Sequence, residues 1–283
     1  MIPVSFDYEV AESVDHALEL LAQHGDEAKL LAGGHSLLPI MKLRLAAPSV
    51  LIDIGRLDDL NYVRDEGDHL AIGAMTRHTD VEHNPILQEH CGLVSYTASL
   101  VGDPQVRHRG TIGGSLAHAD AASDLPSTLL ALDASFIVRG PNGERTVAAG
   151  DFFKDYLMSD LAEDEVLTEV RVPKLSSDTG WSYKKFNRRA QDWAVVGVAA
   201  VVEKSNGSIG SACLALTNMG STPARASAAE SALSGADPGS VAEATSSADG
   251  GSSPSSDVAA SAEYRRHLAR VLSRRAVEEA LSR

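Results

Sequence analysis

Two short glycine-pair loops hold the residues of this chain that are best suited to chemistry. The first loop is Ala32-Gly33-Gly34-His35-Ser36, and the second is Thr111-Ile112-Gly113-Gly114-Ser115. Adjacent glycines let a backbone turn sharply and bring its N–H groups close to a ligand. Clustered N–H groups and helix N-termini attract anions, so each loop is a candidate phosphate site. A single such loop is better explained as a turn, whereas two favour a ligand.

The two loops together fit one diphosphate better than any common nucleotide motif. Neither matches the Gly-x-Gly-x-x-Gly pattern of dinucleotide folds, and neither contains the Gly-Lys-Ser/Thr of a P-loop. Nicotinamide dinucleotides and nucleoside triphosphates are therefore disfavoured. The sequence predicts a diphosphate clamped between consecutive backbone N–H groups of both loops, with the hydroxyls of Ser36, Thr111 and Ser115 completing the site.

The elements that position these loops are short strands and helices. An apolar strand over 29–32 leads into the first loop, and a helix over 36–41 follows it, with Pro39 in the first turn, where a missing N–H costs nothing. An apolar helix over 125–132 follows the second loop. Turn residues at 65–68 and 140–143 predict two hairpins, and the alternating run over 165–172 is typical of an edge strand.

The last third of the chain changes character. Three apolar runs between 181 and 217 predict an antiparallel three-stranded meander, and the Ser-rich stretch 246–256 predicts an exposed, mobile loop. The helix predicted over 263–281 is amphipathic. Its arginines form either a solvated face or a partner-docking face, and the solvated face is favoured.

Composition limits the possible functions. The chain has 283 residues, and its 25 Lys and Arg against 39 Asp and Glu give a net charge of −14. A general nucleic-acid binder or a protein of anionic membranes needs a basic face, so both classes are disfavoured. No secretory signal and no apolar run of the ~20 residues that a membrane helix needs is visible, so a cytoplasmic protein is expected.

Cysteine and histidine spacing predicts no metal site within the chain. Cys91 and Cys213 are isolated, so they build neither a disulfide framework nor a cysteine-held cluster. His78 and His83 come nearest to a histidine pair, but a spacing of five is wrong for shared ligation on a helix. A structural or surface role is favoured for both, and no nucleophilic triad is apparent.

The residues around both loops resemble a known family. The stretches LLAGGHSLLPIMKLRLAAP and GTIGGSLAHADAASDLP are similar to the FAD-binding medium subunits of molybdenum hydroxylases, those of the aerobic carbon monoxide dehydrogenase type above all. The opening IPVSFDY, the middle DPQVRHRG and the final EYRRHLARVLSRRAVEEA extend this resemblance over essentially the whole chain. Relatives often have asparagine where this chain has Ser115, which puts that one side-chain contact in doubt.

The resemblance implies an α+β fold and a set of flavin ligands. The expected fold is a vanillyl-alcohol-oxidase-type (PCMH-type) FAD-binding fold with subdomains over 1–58 and 59–175, followed by a C-terminal domain over 178–283 with a three-stranded antiparallel sheet and helices. Both loops would bind the FAD diphosphate. By the same resemblance, Asp124 is expected to bond the ribose or ribityl hydroxyls, and the Leu167 backbone is expected to contact the flavin edge. Lys185 is expected to lie near the flavin, and Trp193 is expected to cover one ring face.

Without the resemblance, each of these later residues has an ordinary alternative. Asp124 would cap the helix that follows it, Trp193 would be core, and Lys185 would be an exposed charge on a strand. Pattern alone gives the ligand roles and these alternatives about equal weight.

The resemblance further implies an electron-relay subunit without substrate chemistry of its own. Partner subunits would be a large one with the molybdenum cofactor and a small one with [2Fe-2S] clusters, in a dimer of heterotrimers that passes electrons through FAD to an external acceptor. Association with a membrane would come only through partners. Two alternatives are a free-standing FAD-dependent oxidase or dehydrogenase with its own substrate pocket, and a non-enzymatic assembly protein whose glycine loops only make turns.

Overall fold

Three sheets, each built from a successive part of the chain, form the framework of the protein. The computed structural model describes residues 1–283. The first sheet is parallel with the order β1-β3-β2, and parallel neighbours need crossover connections, which two helices provide. Its elements are β1 (Asp7–Val10), α1 (Val14–His24), β2 (Ala28–Leu31), α2 (Leu37–Lys42) and β3 (Val50–Asp53).

The second sheet is antiparallel with the order β4-β5-β10-β6-β7. Its strands are β4 (Val63–Asp65), β5 (His69–Gly73), β6 (Ser135–Gly140), β7 (Gly143–Ala148) and β10 (Val166–Pro173). Both predicted hairpins are present, as β4-β5 and β6-β7. The small hairpin of β8 (Phe153–Asp155) and β9 (Met158–Ser159) precedes β10.

The prediction that the strand over 165–172 lies at a sheet edge is wrong, because β10 is the central strand. Its alternation has another cause. Val170 and Val172 enter the core under the helices, whereas Glu169 and Arg171 point to the open face and form an ion pair of 2.6 Å. An antiparallel sheet that is covered on one face alternates in this way even at its centre.

Helices of the middle region cover one face of the second sheet. They are α3 (His78–His83), α4 (Pro85–His90), α5 (Gly92–Ser99), α6 (Pro104–Arg107), α7 (Ile112–His118), α8 (Asp124–Ala131) and α9 (Ala149–Phe152). The second glycine loop forms the start of α7, where the Thr111 hydroxyl accepts the Gly114 N–H at 3.1 Å and caps the helix.

The third sheet confirms the predicted meander and adds a two-residue strand at its edge. Its antiparallel order is β11-β12-β13-β14, from β11 (Thr179–Phe186), β12 (Val196–Ser205), β13 (Ser208–Thr217) and β14 (Ala224–Arg225). One face packs on α8 and the other on the C-terminal helices α10 (Ser227–Leu233), α11 (Val241–Ala244) and α12 (Ala262–Ser282). The α+β architecture expected from the sequence is therefore confirmed.

Helix α12 departs from the predicted pattern at one arginine. Four of the five arginines expected on a solvated face are at least partly exposed, whereas Arg265 is only 1% exposed and is the largest fully buried side chain of the protein. None of the helices is both long enough and apolar enough to cross a membrane.

Candidate functional site

The main groove of the protein lies where elements of the three sheets meet. Its volume is about 760 Å³, which is in the range of small-molecule sites. Thirteen of the fourteen residues expected at the site line it: Ala32, Gly33, Gly34, His35, Ser36, Thr111, Gly113, Gly114, Ser115, Asp124, Leu167, Lys185 and Trp193. Ile112 does not, because its side chain is fully buried in the core and its N–H donates to the Thr76 carbonyl at 3.0 Å.

The first glycine loop carries a run of free backbone donors. No protein acceptor takes the N–H groups of the consecutive residues Ala32 to Ser36, although this loop lines the groove. Gly34 has a φ of +74°, a left-handed conformation that glycine adopts without strain. Successive unpaired N–H groups on a concave wall form an anion-binding nest, and the helix α2 that follows adds a positive N-terminal end.

The second glycine loop does not match the prediction of consecutive free donors. The N–H groups of residues 112 to 115 are all bonded within the protein, to Thr76, Ala74 and Thr111. Only the Thr111 N–H lacks a protein acceptor. This loop can therefore offer one N–H group and the Ser115 hydroxyl, which has no partner in the chain, while the first loop carries most of the donors.

The glycines of the two loops allow close packing of backbone on backbone. A Cβ on Gly33 would lie 2.2 Å from the Arg109 carbonyl oxygen, and a Cβ on Gly113 would lie 2.6 Å from the Ala74 Cβ. Real Cβ atoms do not approach other atoms so closely. The glycine pairs therefore bring both loops to one wall of the groove.

A buried ion pair lies at the floor of the groove. The Lys185 Nζ donates to the Asp124 carboxylate at 2.7 Å and to the Leu100 carbonyl at 2.9 Å, and both charged side chains are 6% exposed. The Tyr183 hydroxyl donates to the other Asp124 oxygen at 2.8 Å. Burial raises the pKa of the Asp124 carboxyl, and Lys185 and Tyr183 counter only part of that rise. Burial, followed by the Asp124 charge, raises the pKa of Tyr183 well above its ordinary value.

This pair excludes the ordinary alternatives for both residues. Asp124 is the first residue of α8 and its carboxylate caps no helical N–H, because Lys185 and Tyr183 occupy both of its oxygens. Lys185 is not an exposed strand charge, since strand β11 directs its ammonium into the groove floor.

Leu167 and Trp193 both line the groove. Leu167, on β10, is 6% exposed and offers a rigid backbone edge. Trp193 lies in the loop over 187–195 between β11 and β12, and it is 60% exposed, so it is not ordinary core. An indole with an uncovered face at the rim can stack on a flat ring system.

His78 lines the groove, although its sequence context favours a structural or surface role. It is 4% exposed, it lines the groove, and its Nδ1 has no hydrogen-bond partner. Burial, and then the charges of Arg107 and His35, lower the pKa of His78 to about 4, so the ring is neutral at pH 7. His83 instead bonds the Thr79 carbonyl at an exposed position, and the two histidines form no pair. A lone histidine in sequence carries no signal for this role.

Acidification is expected to destabilise the protein through His78. Its pKa of about 4 in the folded state lies below the ordinary 6.5, so the unfolded chain takes up this proton first as the pH falls. The contribution of neutral His78 to the free energy of unfolding is complete above pH 6.5 and is lost as the pH falls through 4. The total loss is about 3 kcal/mol. Denaturant unfolding of H78Q between pH 4 and 7 should show a shallower pH dependence. An unchanged slope would contradict this assignment.

The groove fits an FAD molecule by the chemistry of its walls. Its donors are neutral backbone N–H groups, which suit a diphosphate. The exposed Trp193 and the apolar residues along the rest of the wall suit a large flat ring. No clustered set of histidine, cysteine or carboxylate side chains forms a metal site.

Known proteins match the chain over its full length. Residues 4–175 match the family described as the FAD binding domain in molybdopterin dehydrogenase, and residues 181–280 match the CO dehydrogenase flavoprotein C-terminal domain. The carbon monoxide dehydrogenase medium chain of Hydrogenophaga pseudoflava is 43% identical over 100% of this chain and 99% of its own. The 6-hydroxypseudooxynicotine dehydrogenase complex subunit alpha of Paenarthrobacter nicotinovorans is 40% identical over 100% and 97%.

Solved structures agree with these matches. The structure of a carbon monoxide dehydrogenase from Hydrogenophaga pseudoflava that lacks the Mo-pyranopterin moiety superposes with a TM-score of 0.97 and 45% identity, over 100% of this chain and 99% of that one. Sequence, fold and groove thus lead to one assignment. The chain belongs to the family of FAD-binding subunits of molybdopterin dehydrogenases, with a C-terminal domain of the CO dehydrogenase flavoprotein type.

Proposed function

We propose that this chain is the FAD-carrying medium subunit of a molybdenum-containing hydroxylase complex of the carbon monoxide dehydrogenase type. In this role it relays electrons from iron–sulfur clusters on a partner subunit to an external acceptor. The observation that carries the proposal is the run of free N–H groups from Ala32 to Ser36 on the wall of a groove of about 760 Å³. The family match over residues 4–175 supports FAD as its ligand.

The residues of the chain bind and orient; none acts as a general acid or base. The first loop would hold the diphosphate through its N–H groups, with Thr111 and Ser115 of the second loop beside it. Asp124 would bond the ribose or ribityl hydroxyls, and the Leu167 backbone would contact the flavin edge. Lys185 would lie near the flavin, and Trp193 would cover one ring face. FAD, when bound, accepts and donates electrons singly or in pairs, which suits a relay between clusters and an acceptor.

The proposed complex contains a large molybdenum-cofactor subunit and a small subunit with [2Fe-2S] clusters, assembled as a dimer of heterotrimers in the cytoplasm. The relatives named above, at 43% and 40% identity, belong to enzymes of different substrates. Carbon monoxide is the substrate class that we propose, because the medium chain of higher identity is of that enzyme. The substrate itself would bind in the large subunit.

The proposal is tested by isolating the complex that contains this chain. We expect a yellow complex with one FAD per copy of this chain, molybdenum and iron in the partner subunits, and reduction of the flavin on addition of carbon monoxide. Aldehydes and N-heterocycles serve as comparison substrates. If one of these reduced the flavin and carbon monoxide did not, that compound would replace carbon monoxide as the proposed substrate, and the relay role would stand. Rapid bleaching of the flavin in the lone chain by a small alcohol would overturn the relay role, because it would reveal a substrate pocket in this chain. A chain without flavin would overturn it equally.

A further inference from the structure

Arg265 is a buried charge whose position calls for an explanation. It lies on α12 with 1% of its surface exposed. Its Nε has no hydrogen-bond partner. Burying a charged group with an unsatisfied donor is expensive, and an apolar residue of similar volume often gives a more stable protein. Core stability alone therefore does not account for Arg265.

The guanidinium of Arg265 contacts the backbone immediately beyond Trp193. Its Nη1 donates to the carbonyl oxygen of Val195. The carbonyl of Ala194, one residue earlier, accepts from the Asn218 side-chain amide at 2.7 Å. Two side chains of the C-terminal domain thus hold the two successive carbonyls that follow Trp193.

The loop that carries Trp193 has little else to hold it. Its base is closed by the Val195 N–H, which donates to the Phe186 carbonyl at 2.8 Å. Within the loop, the Asn187 side chain bonds only to carbonyls of the loop itself. The indole of Trp193 is 60% exposed and so is not fixed by burial. Its placement over the groove depends on the backbone at its C-terminal side.

A third residue fixes the guanidinium. Asp257 accepts from the Arg265 Nη2 at 2.6 Å, and it also accepts the N–H groups of Ala259 and Ala260, which anchors the Ser-rich segment before α12. The Asp257 side chain is 47% exposed and lines a second cavity together with Arg265 and Trp193, and Trp193 also lines the main groove. A chain of contacts therefore runs from Asp257 through Arg265 to Val195.

We propose that Arg265 is a positioning residue for the flavin site: it fixes the backbone after Trp193 and thereby sets the indole against the cofactor. The inference rests on the proposed FAD-binding function. Asp257 orients the guanidinium, and Asn218 supplies the second point of attachment. In this way, side chains of the C-terminal domain position one wall residue of a groove that is formed mainly by the rest of the chain.

The test uses the full chain with the substitution W181F, which leaves Trp193 as the one tryptophan. In this background we compare R265M, R265K, D257N and the control R270M. Arg270 lies on the same helix and pairs with Asp249 at 2.7 Å, away from the Trp193 loop. Time-resolved anisotropy of Trp193 without FAD reports the motion of the indole, and FAD titration with quenching of its fluorescence reports affinity and stacking.

We expect faster indole motion and about tenfold weaker FAD binding in R265M, as the loss of a charge-assisted hydrogen bond implies. D257N should show a smaller change in the same direction, R265K should recover part of the signal, and R270M should match the parent. Equal anisotropy in R265M, D257N and R270M would overturn the positioning role. Because anisotropy needs no flavin, a parent that fails to bind FAD would count against the proposed function and not against this role. Should R265M fail to fold, D257N decides.

Discussion

Replacing Gly33 by alanine is expected to weaken FAD binding by more than tenfold and to lower the free energy of unfolding by about 1–3 kcal/mol. The added Cβ would lie 2.2 Å from the Arg109 carbonyl oxygen and 2.8 Å from the Gly110 Cα. Both atoms are backbone and cannot rotate away. The two loops would have to separate, which displaces the free N–H groups from the positions where they converge on the groove.

The control for this prediction is G150A. A Cβ on Gly150 meets nothing within 4 Å, and this residue lies in a helix, where alanine is the better residue. We expect unchanged FAD affinity and a stability equal to or slightly above the parent. Isothermal titration with FAD and denaturant unfolding measure both quantities. Parental affinity in G33A would show that the close approach of the loops is not needed for binding.

Local features of the site were accessible from the sequence, because loops and turns are encoded by neighbouring residues. Glycine pairs that follow an apolar strand or precede a helix indicate sharp turns that other residues adopt only with strain, so the positions of both loops could be predicted. The four residues given by the resemblance alone, Asp124, Leu167, Lys185 and Trp193, also line the groove, and their roles as FAD ligands stay predictions.

Features that depend on tertiary partners were not accessible. The N–H groups of Gly113 and Gly114 look as available in sequence as those of Gly33 and Gly34, but Ala74 and Thr111 occupy them. The central position of β10 depends on strand order, which hydrophobic alternation does not encode. His78 and Arg265 are buried only because distant elements cover them, and a helical pattern assigned the arginine to solvent.

Replacing Lys185 by methionine is expected to lower the free energy of unfolding by about 3 kcal/mol or more at pH 7, because it leaves the Asp124 carboxylate buried without a counter-charge. Both side chains are 6% exposed, so solvent screens this pair little. Without the ammonium, the pKa of Asp124 rises further above its ordinary 3.8. A carboxyl with a raised pKa in the folded state favours folding below its unfolded pKa and loses that contribution as the pH rises. The deficit of K185M should therefore shrink as the pH falls toward 4.

Two variants distinguish loss of this pair from general damage to the strand. K184M removes the neighbouring lysine of β11, whose ion pair with Glu279 is partly exposed, and it should cost at most about 1 kcal/mol. The double variant D124N/K185M removes both buried charges, so it should recover a large part of the stability lost in K185M. Urea unfolding of all three at pH 5 and 7 measures how much of the stability lost in K185M the second substitution recovers. A double variant no more stable than K185M would mean that the loss of stability in K185M arises from packing around the lysine side chain. The Asp124–Lys185 pair would then be a poor candidate for holding the flavin end of the groove in place.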